Sequence, residues 1–226
     1  MTIPRREFLG IAGATGLLAA TGNPLSAEAP ERPLTNGERH PAPVSATWDM
    51  GWVDKVNGKQ RAIFDSPGVS DGAALFRAVM WMNQHKEVYG TPRTDMSAVV
   101  VFRHEGIVLA MKSEYWKTYK VGKEMKMKDE KGKDVVKNPI EGPTDGAESK
   151  SPYNIPGFIA AGGIVLACNL AFGGLVAEVR QKEKLTREQA DAKVRALLIP
   201  GVQLMPSGVF AALRAQEAGC NYIIGS

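Results

Sequence analysis

Cys168 is the first residue whose type and position indicate chemistry. It ends the apolar run 163–168, which is typical of a buried strand, and Asn169 follows it directly. The carboxyl end of a strand lies at the edge of an α/β sheet where ligands and reactive side chains collect. A helix that begins there, together with Asn169, favours the thiolate, the nucleophilic form of cysteine. The alternative is a small buried side chain that only fills space, which is a common role for a free cysteine.

Arg103 and His104 are the next candidates. They come directly after the apolar run 96–102, a second predicted buried strand, so we expect them at the same edge of the sheet as Cys168. At that edge His104 would orient or protonate a group held near the thiol. The alternative is an ordinary surface turn, because residues 103–106 read Arg-His-Glu-Gly.

No metal or cofactor site is predicted. His40 lies in a proline-rich segment and His85 on the polar side of a predicted helix, so the three histidines have no metal-ligand spacing. The sequence contains no CxxC or HExxH motif and no glycine-rich phosphate loop of recognised pattern. A haem or metal site built from His104 and methionines is a weaker alternative that the spacing does not support.

The two cysteines are not expected to form a disulfide. Cys168 closes one predicted strand and Cys220 precedes another, so in a parallel sheet they lie at opposite ends of the strands. Those ends are ~15 Å apart for a five-residue strand, whereas a disulfide needs Cα atoms within about 7 Å. Cys220 is interpreted as a small buried residue.

Residues 117–150 differ from the rest of the chain. They contain nine lysines and seven acidic residues among 34, with few large apolar side chains, which predicts a solvated insertion. A lid or an arm that docks a partner is the alternative. Trp116 and Tyr119 lie at the start of this insertion at helical spacing, either as the wall of an aromatic pocket or as its anchor.

Strands and helices alternate along the remaining sequence. Strands are predicted at 61–65, 96–102, 163–168, 202–205 and 222–224, and helices at 70–89, 172–185, 187–198 and 208–218. Ser70 or Asp71 is the predicted N-cap of the first helix, Thr186 with Gln189 forms a capping box, and Ser207 caps the last helix. This alternation implies right-handed crossovers and a three-layer α/β sandwich with a mainly parallel sheet of about five strands.

The composition is that of an ordinary globular protein. The chain has 226 residues, of which 44% are hydrophobic and 23% are charged, which suffices for one domain with a core. This excludes a disordered tail, a collagen-like fibre and a disulfide-stapled miniprotein. The formal charge of +4 is too small for a protein that coats nucleic acid, so we expect no nucleic-acid partner.

Residues 1–27 are predicted to be an export signal. A pair of arginines, the short apolar run 11–20 and small residues at the end of the segment resemble a twin-arginine signal peptide. We expect cleavage after Ala27 and a periplasmic location, with cleavage after Ala29 or an uncleaved anchor as alternatives. The apolar run is too short to span a bilayer, which takes about 20 apolar residues, so no membrane span is expected after cleavage.

The mature chain is expected to contain a tether and one domain. Residues 28–50 hold four prolines and no apolar periodicity, which predicts an extended tether. The single α/β domain then covers 51–226. Without the leader the chain has 26 basic and 23 acidic residues, a formal charge of +3.

Four segments together resemble the DsrE/DsrF-like family of sulfur-relay proteins. They are the strand that leads to Asp65-Ser-Pro, the strand 99–104, the segment Ile164-Val-Leu-Ala-Cys168-Asn169, and the closing stretch 200–224 with Pro-Ser-Gly before its helix. The resemblance covers roughly residues 60–112 and 157–224, and is greatest to exported, twin-arginine-tagged members with a long insertion after the second strand.

The resemblance implies a compact α/β sandwich that assembles into homotrimers or hexamers, or into complexes with related subunits. It also implies that Cys168 carries a sulfane sulfur as a persulfide, received from a donor protein and passed to an acceptor protein. From their positions in the sequence, Arg103 and His104 are expected near the reacting thiol, and Asn169 and Trp116 are the expected ligand-binding residues. A non-catalytic small-ligand-binding or assembly module is the competing hypothesis.

Overall fold

The computed structural model describes residues 48–143 and 151–226, in which strands and helices alternate. The strands are β1 (Gln60–Ser66), β2 (Met96–Phe102), β3 (Ile164–Cys168), β4 (Gln203–Met205) and β5 (Asn221–Ile224). The α-helices are α1 (Ala73–Tyr89), α2 (Ser113–Tyr119), α3 (Val121–Glu124), α4 (Ile155–Ala160), α5 (Asn169–Glu183), α6 (Arg187–Ala196) and α7 (Gly208–Glu217). Three 3₁₀ segments cover Ser70–Gly72, Arg93–Asp95 and His104–Ala110.

The five strands form one sheet in the order β4-β3-β2-β1-β5, and every pair is parallel. One row of paired residues crosses the sheet: Gln203, Leu166, Val101, Asp65 and Ile224. The predicted α/β fold, with a parallel sheet of about five strands flanked by helices, is confirmed.

Helices cover both faces of the sheet because of this strand order. The chain advances from β1 to β4 in one direction and then returns to pair β5 with β1. Since parallel crossovers are right-handed, the return crossover through α7 lies on the face opposite to the earlier ones. Along β2, Ala98, Val100 and Phe102 accordingly belong to the larger apolar cluster, whereas Val99 and Val101 pack in the smaller cluster under α7.

Of the three predicted N-caps, two are confirmed; the helix predicted to start at 172 begins three residues earlier, at Asn169. The Thr186 hydroxyl accepts from the Gln189 N–H and the Gln189 side chain accepts from the Thr186 N–H, a complete capping box. The Ser207 hydroxyl accepts from the Phe210 N–H at the start of α7. The prediction of Ser70 or Asp71 as the N-cap of α1 was wrong. Those residues form a 3₁₀ turn, and α1 begins after Gly72, whose φ of +80° is left-handed.

The predicted solvated insertion is packed at its edges. Residues 128–133 are exposed, as expected, but Val121 and Ile140 are buried in the larger apolar cluster. The Asn138 side-chain amide donates to the Leu109 and Met111 carbonyl oxygens, both at 2.7 Å. The expectation of a uniformly solvated segment was therefore wrong for the parts of 117–143 that lie against the core. Residues 144–150 lie outside the described residues.

The predicted signal peptide, 1–27, and most of the predicted tether, 28–47, also lie outside the described residues. Within the part of the chain that is described, none of the helices combines the length and the apolar character needed to cross a membrane.

Candidate functional site

A surface cavity of about 470 Å³ lies at the carboxyl edge of the sheet. Its walls come from the segment that follows β2, from the first two turns of α5, from the first turn of α7 and from Met125. Arg103, His104 and Cys168 all line it, so the structure brings the three predicted reactive residues together. Most of the remaining wall is apolar, with Ile107, Val108, Leu170, Leu175 and Val209 among the lining residues.

Cys168 is both the last residue of β3 and the N-cap of α5. Its side chain is nearly buried, with a relative exposure of 7%. The Ala171 backbone N–H donates to the Cys168 sulfur, with an N···S distance of 3.5 Å. This hydrogen bond and the positive end of α5 both stabilise negative charge on the sulfur. The Cys168 thiol therefore occupies the N-cap position of α5, which serine or aspartate often occupies in other helices.

Arg103 is held in place by a buried carboxylate. Its Nε donates to the two Asp65 carboxylate oxygens at 2.8 and 3.0 Å, and its Nη2 donates to Oδ2 at 2.7 Å. Asp65 is 1% exposed, whereas the Arg103 side chain is 30% exposed. The hydrogen bond to Asp65 raises the pKa of Arg103 above its ordinary value. The fork geometry fixes the plane of the guanidinium group at the cavity wall.

Tyr222 on β5 completes this cluster. Its hydroxyl donates to Asp65 Oδ2 at 2.5 Å. The pKa of Tyr222 is raised, chiefly because its proton is shared with the Asp65 carboxylate and also because the hydroxyl is partly desolvated. Tyr222 is therefore a protonated hydrogen-bond donor at neutral pH.

The sequence predicted Arg103 but missed Asp65 and Tyr222 as site residues. One signal for Asp65 was present, because a carboxylate that ends an apolar strand run needs a partner when it is buried. Tyr222 carried no comparable signal, since an aromatic residue in a strand is ordinary.

Gly208 allows α7 to begin directly against Arg103. A Cβ atom added at Gly208 would lie 2.5 Å from the Arg103 Cβ and 2.8 Å from its Cδ. Any larger residue at the start of α7 would therefore displace the arginine or the helix. The close approach brings the first turn of α7 and the guanidinium group to the same wall of the cavity.

His104 also lines the cavity, but its side chain is not held in place as that of Arg103 is. It is exposed and has a φ of +51°, in the left-handed region that few non-glycine residues adopt. No hydrogen bond from any residue of 48–143 or 151–226 fixes its imidazole ring. The ring is therefore placed at the cavity without being held in one orientation.

Trp116 and Asn169, the two predicted ligand-binding residues, are not among the residues that line the cavity. Trp116 is fully buried, and its indole N–H donates to the Val108 carbonyl oxygen at 2.7 Å. It supports the 3₁₀ segment His104–Ala110 from within the core. Asn169 is half-buried in the first turn of α5.

Both cysteines are free and buried, which confirms that they form no disulfide. From the row of paired residues that crosses the sheet, Cys168 lies two residues toward the carboxyl edge and Cys220 four residues toward the amino edge. At a rise of about 3.3 Å per residue these positions are about 20 Å apart along the strands. Burial raises the pKa of Cys220 to about 11.

Within the described ranges, no group of three or more His, Cys, Asp and Glu side chains is arranged to hold a metal ion. Comparison with protein-family models, curated proteins and solved structures finds no match for this chain. The similarity to the DsrE/DsrF-like family therefore stays a prediction from the sequence.

Proposed function

We propose that this protein is an exported DsrE/DsrF-like sulfur carrier that holds a sulfane sulfur as a persulfide on Cys168. The observation that carries the proposal is the position of the Cys168 thiol. It caps α5, accepts an N–H hydrogen bond and lines a cavity together with Arg103. A thiolate in this position is a competent nucleophile, and the cavity has room for a small sulfur donor.

The proposed step exchanges one sulfur–sulfur bond for another. The Cys168 thiolate attacks the outer sulfur of a donor persulfide anion or of a polysulfide dianion. A bond forms between Sγ and that sulfur, the sulfur–sulfur bond of the donor breaks, and the donor leaves as a thiolate or a shorter polysulfide. The products are a persulfide anion on Cys168 and the leaving anion. No external oxidant or reductant is needed, and delivery to an acceptor is the same exchange in reverse.

The surrounding residues have distinct roles in this step. The Ala171 N–H and the first turn of α5 stabilise the thiolate and then the persulfide anion. Arg103 attracts the anionic donor, and the exposed His104 can protonate the leaving thiolate. The apolar wall limits the access of water and oxidants to the bound sulfur.

Mass spectrometry of the mature protein after incubation with polysulfide tests this function. We expect a gain of one or more sulfur atoms on the peptide that contains Cys168, reversed by a thiol reductant. The matched control is Cys220→Ser, which keeps the adduct, and Cys168→Ser should lose it while remaining folded. Sulfur found equally on both cysteines, or on neither, would refute the carrier function.

The apolar walls favour one second candidate, a non-catalytic module that binds a small apolar ligand. The cavity volume of about 470 Å³ falls within the range of roughly 300–1,000 Å³ that is usual for ligand pockets. In that case Cys168→Ser should retain the ligand, whereas Val209→Asp should reduce its binding by placing a charge in the wall. A carrier shows the opposite dependence on Cys168.

Export and assembly into a trimer or hexamer belong to the same proposal. Exposed apolar side chains support an assembly. Leu170 and Val209, which line the cavity, are 71% and 59% exposed, and Leu213, four residues further along α7, is 53% exposed. Light scattering of the mature protein should give a multiple of the monomer mass. Replacing Arg5 and Arg6 by lysine should keep the protein out of the periplasmic fraction.

A further inference from the structure

We infer that Asp65 and Tyr222 are positioning residues that hold Arg103 at the cavity, so that Cys168 reacts preferentially with anionic substrates. This inference deepens the proposed function and rests on it. It assigns a role to two residues outside the cavity wall and a chemical class, small anionic sulfur compounds, to the substrate.

The hydrogen bonds leave one part of the guanidinium group available. Asp65 engages Nε and one hydrogen of Nη2, the side-on edge of the group. Nη1 takes part in none of these bonds. An arginine held along one edge by a carboxylate can therefore bind a second anion along its other edge with little loss of side-chain entropy.

Tyr222 limits the remaining freedom of the carboxylate. Its hydroxyl bonds to Asp65 Oδ2, the oxygen that also accepts from Arg103 Nη2. Asp65 is 1% exposed, so it orients the arginine from inside the protein while the arginine side chain reaches the cavity. Because the Asp65 charge offsets that of Arg103, the effect on an anion depends on orientation as well as on net charge.

The variant Asp65→Asn distinguishes the effect of net charge from the effect of orientation. The two effects predict opposite changes in the preference of Cys168 for anionic reagents. If Asp65 only neutralises Arg103, removal of its charge makes the cavity more positive and increases the preference for anions. If Asp65 positions Arg103, the guanidinium group loses its fixed orientation and the preference falls. Tyr222→Phe tests the same idea without changing any charge.

The test compares two alkylating probes at Cys168, iodoacetate, which is anionic, and iodoacetamide, which is neutral. Both react with the same thiolate, so the ratio of their rates does not depend on how much thiolate is present. The rates are followed by peptide mass spectrometry on the mature chain at several salt concentrations.

We expect Arg103→Gln to lower the iodoacetate-to-iodoacetamide ratio about five- to tenfold, and the salt dependence to weaken. Asp65→Asn and Tyr222→Phe should each lower it roughly two- to threefold, because the charge of Arg103 remains. Arg195→Gln is the matched control. It also removes an arginine paired with a carboxylate, but from the surface of α6, and should leave the ratio unchanged.

An unchanged or higher ratio in both Asp65→Asn and Tyr222→Phe would overturn the inference, even if Arg103→Gln lowers it. A persistent anion preference in a protein that takes up no sulfur would refute the carrier function but support the inference. If Cys168 reacts with neither probe, the proposed function fails, and a second measurement decides the inference.

That measurement tests the binding of thiosulfate, a small sulfur-containing anion, to the Cys168→Ser variant, which lacks the reactive thiol. The melting temperature of Cys168→Ser is compared in thiosulfate and in chloride at equal ionic strength. Thiosulfate should raise the melting temperature of Cys168→Ser. The inference is supported if this increase is lost when Arg103→Gln is added to that variant and reduced when Tyr222→Phe is added. Equal melting temperatures in the two salts would overturn it.

Discussion

The ion pair between Asp65 and Arg103 should show strong energetic coupling in a double-mutant cycle, with unequal costs for the two single variants. The cycle compares Asp65→Asn, Arg103→Met and the double variant with the parent protein. Its basis is the unequal burial of the two partners, since Asp65 is 1% exposed and the Arg103 side chain is 30% exposed. A charge that is left unpaired at Asp65 cannot reach water, whereas one at Arg103 partly can.

The magnitudes follow from this difference. Removing one partner of a buried ion pair typically costs about 3–5 kcal/mol, so we expect Arg103→Met to cost about 3–4 kcal/mol. Asp65→Asn should cost about 2 kcal/mol, because the free guanidinium group is partly hydrated. In the double variant neither charge remains buried, so its cost should be lower than the sum of the single costs by about 2 kcal/mol.

Urea unfolding at neutral pH gives the free energy of unfolding of all four proteins. The slope of each transition is compared to check for two-state behaviour. A coupling energy below about 0.5 kcal/mol, or a larger cost for Asp65→Asn than for Arg103→Met, would refute this reasoning.

Three further predictions concern the two cysteines and Gly208. Cys168→Ser should keep the N-cap of α5 and the stability of the protein, whereas Cys168→Ala should lose about 1 kcal/mol in urea unfolding. Gly208→Ala should cost about 1–3 kcal/mol by overpacking against Arg103 and should lower the anion preference of Cys168 alkylation. The raised pKa of Cys220, about 11, means that the folded state retains a proton that the unfolded state loses first. Stability should therefore fall as the pH rises through about 9 to 11, and less steeply in Cys220→Ala.

The sheet could be predicted because its strands carry local signals. The continuous apolar run of β2 identified a strand that is buried on both faces, and the structure begins and ends it at the predicted residues, Met96 and Phe102. The capping box of Thr186 and Gln189 likewise encodes a helix start within four residues. The local signal was ambiguous at Ser70. There, residues 70–72 all have positive φ values, and Gly72 takes the N-cap position instead.

The site was predictable only in part, because its cluster is made by residues far apart in the chain. Asp65 is 38 residues from Arg103 and 157 residues from Tyr222. The position of Cys168 and Arg103 at strand ends was enough to place both at one edge. The pairing of β5 with β1, which brings Tyr222 to Asp65, follows from the strand order and has no local signature. The hydrogen bonds from Asn138 to backbone carbonyl oxygens could not be predicted either, because their acceptors lie 27 and 29 residues away and Asn138 belongs to a charged segment.

The register of the sheet, rather than a local motif, therefore makes the site. Tyr222, Asp65, Arg103 and Cys168 come from β5, β1, the end of β2 and the end of β3, which are neighbours in the sheet in that order. Hydrogen bonds join the first three, and the cavity separates Arg103 from Cys168. Slipping any one strand by one residue would turn its side chain to the opposite face and break the series. The thiol and the arginine thus depend on the same packed core that gives the protein its stability.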